Sequence, residues 1–227
     1  MWIHDRTDIT KRHRGDSVAS RPRQTAAWKD AGLSRDEQFA AKRAAVITEA
    51  ARAFSTGGYH STSLDDVAQQ LGVTKTALYY YVSSKEEILY ACHIISCDLG
   101  DEALALAHAQ DGSGLDRVKV LASKYIEMLT SRLGAFTVLT EIDALSEGNR
   151  KSIAARRSAF DRKFRALLKS GIGDGSIRPI DPKFAVFFFM GAVNWMTRWY
   201  DPSGTASSQQ IAEQFTDFLV KAIRAER

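Results

Sequence analysis

The sequence predicts an all-α protein, in which a small helix-turn-helix unit precedes a larger helical domain. From residue 36 onward, apolar side chains recur every three or four residues in successive segments, which is the spacing of one face of an α-helix. Residues that favour helix N-termini precede several of these segments, and glycines follow them. A chain of 227 residues with 44% hydrophobic content can bury one substantial core or two modest ones.

The first helix is predicted over residues 36–56, and Gly57 and Gly58 end it. Its apolar face comprises Phe39, Val46, Ile47, Ala50 and Phe54. Two shorter helices are predicted next. Ser63 can cap a helix over residues 64 to about 70, which Gly72 ends because glycine adopts the left-handed conformation without a steric penalty. Thr74 is the N-cap of the second helix, so the pair has the form of a helix-turn-helix.

The second helix of this pair carries side chains suited to DNA. A recognition helix presents its N-terminal residues to base edges in the major groove. Lys75 can donate to guanine, and the Thr76 methyl can contact a thymine methyl, while flanking hydroxyl groups and lysines can bind phosphates. The predicted DNA-contacting residues are Thr62, Ser63, Thr74, Lys75, Thr76, Tyr79, Tyr80, Tyr81 and Lys85. The alternative is a small helical hairpin in which the tyrosines are half-buried core.

The run of residues 62–89 resembles the DNA-binding segment of the TetR family of bacterial one-component repressors. The family pattern is approximately T-S/T-hydrophobic-x-x-I/V-A-x-x-A/L-G-V-S/T-x-x-x-L/I-Y-x-H/Y-F/V-x-S/N-K-x-x-L. The matching residues are Thr62, Ser63, Leu64, Val67, Ala68, Leu71, Gly72, Val73, Thr74, Leu78, Tyr79, Tyr81, Val82, Ser84, Lys85 and, within one position, Ile88 and Leu89. Thr76, Tyr81 and Val82 depart from the usual glycine, histidine and phenylalanine, which leaves the operator sequence open.

The resemblance implies a cytoplasmic regulator that binds double-stranded DNA at a palindromic operator. Residues 35–83 would form the DNA-binding domain and residues 84–227 a ligand-binding and dimerisation domain. Residues 1–34 are polar and show no apolar run, so we expect no signal peptide there. They are a solvated tail or a basic arm for the minor groove. The basic residues of such an arm are Lys11, Arg12, Arg14, Arg21 and Arg23.

A long helix of about 25 residues is predicted from Lys85, because Ser84 and Glu87 have capping-box spacing. Its apolar stripe is Ile88, Cys92, Ile95, Leu99 and Leu106. Further helices are predicted over residues 115–129, after Gly134 with Phe136, Leu139, Ile142 and Leu145, over residues 150–169, and over residues 182–200 and 211–222. Glycines at 171, 173 and 175 predict a turn-rich connector.

The segment of residues 184–200 is apolar nearly all round, but it falls short of the roughly 18 clean apolar residues of a membrane span. We therefore expect a buried helix and no membrane. The last two helices carry more apolar surface than one subunit can cover, and the resemblance also implies a homodimer formed through them. The predicted dimer residues are Phe187, Met190, Phe215, Phe218, Leu219 and Ala222.

The resemblance further implies a small-molecule cavity among the middle helices, although any of its candidate residues can instead be core. The predicted cavity residues are Tyr125, Met128, Phe136, Leu139, Phe160, Phe164, Phe188, Asn194 and Trp195. Residues 194–200 resemble an N-W-x-x-x-W-Y segment of TetR-type regulators of fatty-acid and steroid degradation, whose effectors are acyl-CoA thioesters. Residues 150–169 hold eight basic side chains against one acid, Asp161, and form either a solvated face or a strip for anionic groups.

Two other classes of function are open. Cys92 and Cys97 point about 140° apart on one helix and cannot pair, while His93 and Cys97 share a face but lack an evident third metal ligand. A redox- or metal-responsive regulator, or a helical interaction module that does not bind DNA, are the alternatives. We find no phosphate loop, zinc-protease motif or nucleophile elbow, and so predict neither an enzyme nor a bound cofactor or metal.

Overall fold

A computed structural model describes residues 34–133, 139–201 and 204–226 of the chain. The predicted all-α class is confirmed. The helices are α1 (Arg35–Gly57), α2 (Leu64–Leu71), α3 (Lys75–Tyr79), α4 (Lys85–Ala109), α5 (Gly114–Met128), α6 (Glu147–Gly173), α7 (Pro182–Trp199) and α8 (Ser208–Ile223). A π-helical turn, Leu129–Leu133, continues α5, and a 3-10 turn, Ile142–Ala144, precedes α6. The predicted arm and Phe136 lie outside the described residues.

The predicted caps begin α2, α3 and α4. The Ser63 hydroxyl accepts the backbone N–H of Asp66, and Thr74 does the same for Ala77. Gly72 ends α2 in the left-handed conformation, with φ of 65°. At α4 the Ser84 hydroxyl accepts the backbone N–H of Glu87. The capping box predicted there is incomplete, however, because the Glu87 carboxylate binds Ser83 and Arg43 instead.

Helices α1 to α3 and the first turns of α4 form the head of the molecule. Its core includes Phe54 of α1, Val67 of α2, Leu78 of α3 and Ile88 of α4, all nearly inaccessible to solvent. Phe39, predicted on the buried face of α1, is 36% exposed because it lies at the open N-terminal end of that helix. There its ring contacts Tyr80 and Tyr81.

The rest of α4 and helices α5 to α8 form the body, which has its own hydrophobic core. A Cβ atom on Gly114 would lie 2.3 Å from the backbone of Gly171, so only glycines allow the ends of α5 and α6 to approach this closely. The predicted connector exists at residues 174–181, where Gly175 has a φ of 76°, but it begins later than predicted. Helix α6 instead continues to Gly173, because Gly171 serves helix packing rather than a turn.

Three other expectations about the body are wrong. Leu106 of α4 is 43% exposed, whereas His93 and Ser96 are buried. Helix α4 contacts both α5 and α6, so more than one face of it is buried. Where the structure describes the helix predicted after Gly134, it has 3-10 conformation at residues 139–140 and at Ile142–Ala144 and no α-helix. Helix α7 is not buried all round, because Val186 and Val193 face the core while other apolar side chains are exposed. Among the described residues, no helix is long and apolar enough to cross a membrane.

Candidate DNA-reading surface and ligand cavity

Helix α3 is anchored by one side and exposed on the other. Leu78 is fully buried in the head core, while Lys75 and Thr76 are exposed in the first turn of the helix. Tyr79 is 45% exposed and Tyr80 is 70% exposed. Five of the nine predicted DNA-contacting residues line one groove at the start of α2: Thr62, Ser63, Lys75, Tyr79 and Lys85. Thr74 is also exposed but caps the helix.

Lys75 lies at the centre of this surface, and its ammonium binds the carboxylate of Asp65 at 2.9 Å. This hydrogen bond raises the pKa of Lys75, which therefore stays charged at neutral pH. Both side chains are more than half exposed, and exposed ion pairs contribute little to stability. Lys75 can therefore exchange Asp65 for a base or phosphate at small cost.

Two of these groove residues, Lys85 and Thr62, also make hydrogen bonds to the backbone of the head. The Lys85 ammonium donates to the carbonyl oxygen of Tyr59, and it lies 4.5 Å from the Tyr59 ring centroid and 5.4 Å from that of Phe54. Burial lowers the pKa of Lys85. The Thr62 hydroxyl is buried and donates to the Ala53 carbonyl oxygen. Tyr81 is half-buried, with its ring 5.3 Å from that of Phe39. These contacts indicate that Lys85 and Thr62 stabilise the head.

Replacing Lys85 by methionine is expected to lower the free energy of unfolding by about 1–3 kcal/mol, because the Tyr59 carbonyl loses its partly buried, charged hydrogen-bond donor. The slope of log operator affinity against log salt concentration should be unchanged. Urea unfolding and salt titrations of DNA binding measure the two quantities, with Lys75→Ala as the matched lysine control. A stable variant with a smaller salt slope would return Lys85 to the phosphate contacts.

A cavity of about 500 Å³ lies in the body, between α4, α5, α6 and α7, and this volume is typical of small-molecule sites. Of the predicted cavity residues, four line it: Tyr125, Leu139, Phe160 and Asn194. Met128 and Phe164 do not. Phe164 packs behind Phe160, with its ring also against Phe189, so both it and Met128 belong to the core.

Helix α7 presents a different face to the cavity from the one predicted. Phe188 and Trp195 are 64% and 65% exposed and do not line the cavity, whereas Phe187 and Met190, predicted at the dimer interface, do. Phe187 is also 52% exposed, so its predicted interface role remains a prediction. Since α7 is apolar nearly all round, its periodicity does not indicate which face meets the cavity. Only Asn194 and Thr197 of the segment 194–200 line the cavity.

The outer side of α7 carries a set of exposed aromatic residues that we call the aromatic face. Four of them recur at helical spacing on α7, and the fifth lies on α8. The two helices are in contact here, since the ring of Phe215 on α8 stacks with that of Trp199 on α7. The aromatic face comprises Phe184, Phe188, Trp195, Trp199 and Phe218. Of the remaining predicted dimer residues, Ala222 is exposed, Phe215 is half-buried and Leu219 is buried in the core of its own chain.

The polar end of the cavity is built by α4 and α6. Arg156 binds Asp98 and Asp101, each at 2.6 Å, and Lys163 also binds Asp101. Asp161, another cavity residue, binds Arg165 at 2.6 Å. The basic side chains of α6 are therefore not all solvated, since several join α6 to α4.

His93 is fully buried on α4, and its Nδ1 lies 3.1 Å from Nη2 of Arg157 on α6. Burial, together with the charge of Arg157, lowers the pKa of His93 to about 4. A neutral His93 accepts from Arg157 through Nδ1 and carries its proton on Nε2. Nε2 is buried without a hydrogen-bond partner among the described residues.

The pKa of His93 predicts an acid-sensitive fold. Between pH 6.5 and about 4 the unfolded chain binds a proton at His93 that the folded chain excludes, so stability falls as the pH falls through this interval. The full effect is on the order of 3 kcal/mol. His93→Asn keeps an acceptor for Arg157 but does not titrate, and should lose less stability between about pH 7.5 and pH 5 in urea unfolding. Equal losses in both proteins would contradict this account.

The surroundings of the two cysteines do not support a sensing role for them. Burial raises the pKa of Cys92 to about 12 and also raises that of Cys97, so both thiols stay protonated at neutral pH. Both are free. Among the described residues, no group of three His, Cys, Asp or Glu side chains is placed to hold a metal. The redox- and metal-sensing alternative is therefore unsupported.

Helix α4 and the segment of residues 139–146 each touch both the cavity and the head. Ile88 and Cys92 of α4 lie in the head core, and Cys97 of the same helix lines the cavity. Leu139 lines the cavity and Leu145 is buried in the head core. Glu86, in the first turn of α4, accepts hydrogen bonds from the Ser146 backbone N–H and the Asn149 side chain. A change of shape in the cavity thus has two direct routes to the head.

A three-helix head whose third helix, α3, is exposed on one side, joined to a helical body with an internal cavity, is the architecture of a helix-turn-helix DNA-binding regulator. The family model described as "Bacterial regulatory proteins, tetR family" matches residues 46–92. The model described as "Tetracyclin repressor-like, C-terminal domain" matches residues 111–223. The chain belongs to the TetR family of transcriptional regulators.

The relatives agree with this assignment. The transcriptional repressor KstR2 of Mycolicibacterium smegmatis is 26% identical over 191 residues, which cover 82% of this chain and 92% of that protein. The regulator RutR of Escherichia coli is 29% identical over 161 residues, covering 67% and 72%. The crystal structure of the regulator PfmR from Thermus thermophilus has a TM-score of 0.71 at 29% identity, covering 80% of this chain and 99% of that one. The structure of AibR in complex with isovaleryl coenzyme A and operator DNA has a TM-score of 0.66 at 26% identity, covering 82% and 100%.

Proposed function

We propose that this chain is a transcriptional repressor that binds a palindromic operator as a homodimer and releases it when a small apolar effector fills the cavity. The observation that carries the proposal is the exposed first turn of α3, where Lys75 and Thr76 stand on a helix fixed to the head core by Leu78. A recognition helix needs this combination of a rigid anchor and exposed polar side chains. The predicted base-reading and phosphate-binding roles of Ser63, Thr74, Tyr79 and Tyr80 belong to the same proposal.

The aromatic face supports the homodimer. Large aromatic side chains at helical spacing are costly to leave in water, and contiguous exposed apolar patches mark interaction surfaces. A two-fold dimer formed through α7 and α8 would cover them and place two heads on two half-sites.

An acyl-CoA thioester is the candidate effector class. Its support is the apolar cavity and the structural relative crystallised with isovaleryl coenzyme A and operator DNA. The segment 194–200 gives this effector class less support than its sequence implies, because Trp195 and Trp199 lie on the aromatic face rather than at the cavity. An effector in the cavity would shift α4 and the segment 139–146, and with them the spacing of the two heads.

Thermodynamic linkage tests this mechanism. An effector that releases the operator must bind the DNA-free dimer more tightly than the operator complex, by the same factor by which it weakens operator binding. Calorimetric titrations of isovaleryl coenzyme A into both forms measure the difference. Equal affinities would reject the mechanism for this compound.

A gel-shift assay tests the function itself. DNA flanking the gene of this protein should be retarded by the full chain, and light scattering should give the mass of a dimer. A monomer that retards none of these fragments would favour the remaining alternative, a helical interaction module.

A further inference from the structure

Among the residues that the structure describes, one arginine of the cavity lining, Arg157, has no carboxylate in direct contact. Three cations of α6, Arg156, Lys163 and Arg165, are matched by three carboxylates in direct ion pairs. The carboxylates are those of Asp98, Asp101 and Asp161. Arg157 lines the same cavity, and within the described part of the chain no carboxylate lies within ion-pair distance of it.

Arg157 is held in place by a neutral partner. One guanidinium nitrogen, Nη2, donates to Nδ1 of His93, which is fully buried in α4. This contact fixes the guanidinium beside the cavity but does not cancel its charge. A guanidinium has five N–H groups in a planar fork, so donors remain for a bidentate contact with a carboxylate or phosphate.

The rest of the cavity is largely apolar. Its walls include Leu129, Val186 and Val193 from the body core, and the rings of Phe160 and Phe187. Arg157 is exposed, so water solvates its charge in the free chain. A neutral apolar molecule that filled the cavity would displace water from the guanidinium without replacing its hydrogen bonds. An apolar molecule that carries one anionic group satisfies both parts of the site.

We propose that Arg157 selects the ligand of this cavity by binding its anionic group, and that the ligand is an apolar chain or ring system with a carboxylate or phosphate at one end. The proposal rests on the proposed function in taking the cavity as the effector site. Arg157 would recognise the anionic group of the effector, and its contact with His93 would hold the guanidinium in position for this. Arg156 has no such role, because its guanidinium is already bound by two aspartates.

Calorimetric titration of the full-length chain, without DNA, tests the proposal with three probes that share one tail. Octan-1-ol has no charge, octanoate has a terminal carboxylate, and octanoyl-CoA carries phosphates. Wild-type protein should bind at least one of the anions about tenfold or more tightly than octan-1-ol, as expected for charge-assisted hydrogen bonds. Which anion shows the preference identifies the carboxylate or the phosphates as the recognised group.

Arg157→Gln should abolish this preference and leave octan-1-ol affinity within about twofold, because a neutral ligand makes no charge-assisted bond. Arg157→Lys keeps the charge and should retain part of the preference. Arg162→Gln removes an exposed cation of the same helix that does not line the cavity, and should change nothing. The proposal is overturned if octan-1-ol binds as tightly as both anions, if neither anion binds, or if Arg157→Gln weakens all three probes alike. These outcomes do not depend on operator binding, so the proposed function can stand or fail separately.

Discussion

Phe188→Glu is expected to leave the chain monomeric and to weaken operator binding by about a hundredfold or more. Phe188 lies within the aromatic face, where it is 64% exposed in the single chain. A carboxylate buried without a partner in an apolar interface costs several kcal/mol, which is enough to disfavour the proposed dimer. A lone head loses the gain of about 10² or more that two linked binding sites provide.

Light scattering measures the mass of this variant, and fluorescence anisotropy with a labelled operator fragment measures its affinity. Leu106→Glu is the matched control, because Leu106 is an exposed apolar residue of α4 outside the aromatic face. This control should remain dimeric and bind normally. A dimeric Phe188→Glu variant with normal affinity would place the interface elsewhere.

Lys75→Ala or Tyr80→Ala is expected to weaken specific operator binding by about 1–3 kcal/mol for each half-site, with the dimer still folded. Lys75 gives up only an exposed ion pair with Asp65, and the Tyr80 side chain is 70% exposed, so neither change disturbs the head core. The loss of affinity should be larger for operator DNA than for unrelated DNA.

The control for these two variants is Lys124→Ala. Lys124 is an exposed lysine on α5 that pairs with Glu127, far along the chain from the head. Its removal changes the net charge of the protein by the same amount as Lys75→Ala. Anisotropy titrations in which Lys75→Ala and Lys124→Ala are indistinguishable would exclude Lys75 from the operator contacts.

Features set by neighbouring residues could be predicted from the sequence. Ser63, Gly72 and Thr74 determine the ends of α2 and α3 through local backbone hydrogen bonds and a left-handed glycine, and the structure has both helices where these residues place them. Leu78 is buried as its spacing predicts. Local chemistry therefore predicted the helix-turn-helix.

Features set by distant neighbours could not be predicted. Periodicity does not reveal which side of α7 meets the cavity, so Phe187 and Met190 were predicted at the dimer interface and Phe188 and Trp195 at the cavity. The inward contact of Lys85 depends on the Tyr59 carbonyl, 26 residues away in the chain.

The pairing of His93 with Arg157 joins residues 64 apart. The basic composition of α6 was visible in the sequence, but the ion pairs of Arg156 and Lys163 with Asp98 and Asp101 form only when α4 and α6 are packed together. Only this packing distinguishes Arg157, which contacts His93, from Arg156, which binds two aspartates.

The most direct test of the central claim compares the affinity of the wild-type dimer for a DNA fragment flanking its gene with that for a coding-sequence fragment of equal length, at the same salt concentration. Fluorescence anisotropy measures both. We predict a preference of about 10³ or more for the flanking fragment, which Tyr80→Ala reduces. Equal affinities that fall together as salt is raised would show only non-specific phosphate binding and would contradict a sequence-reading role for α3.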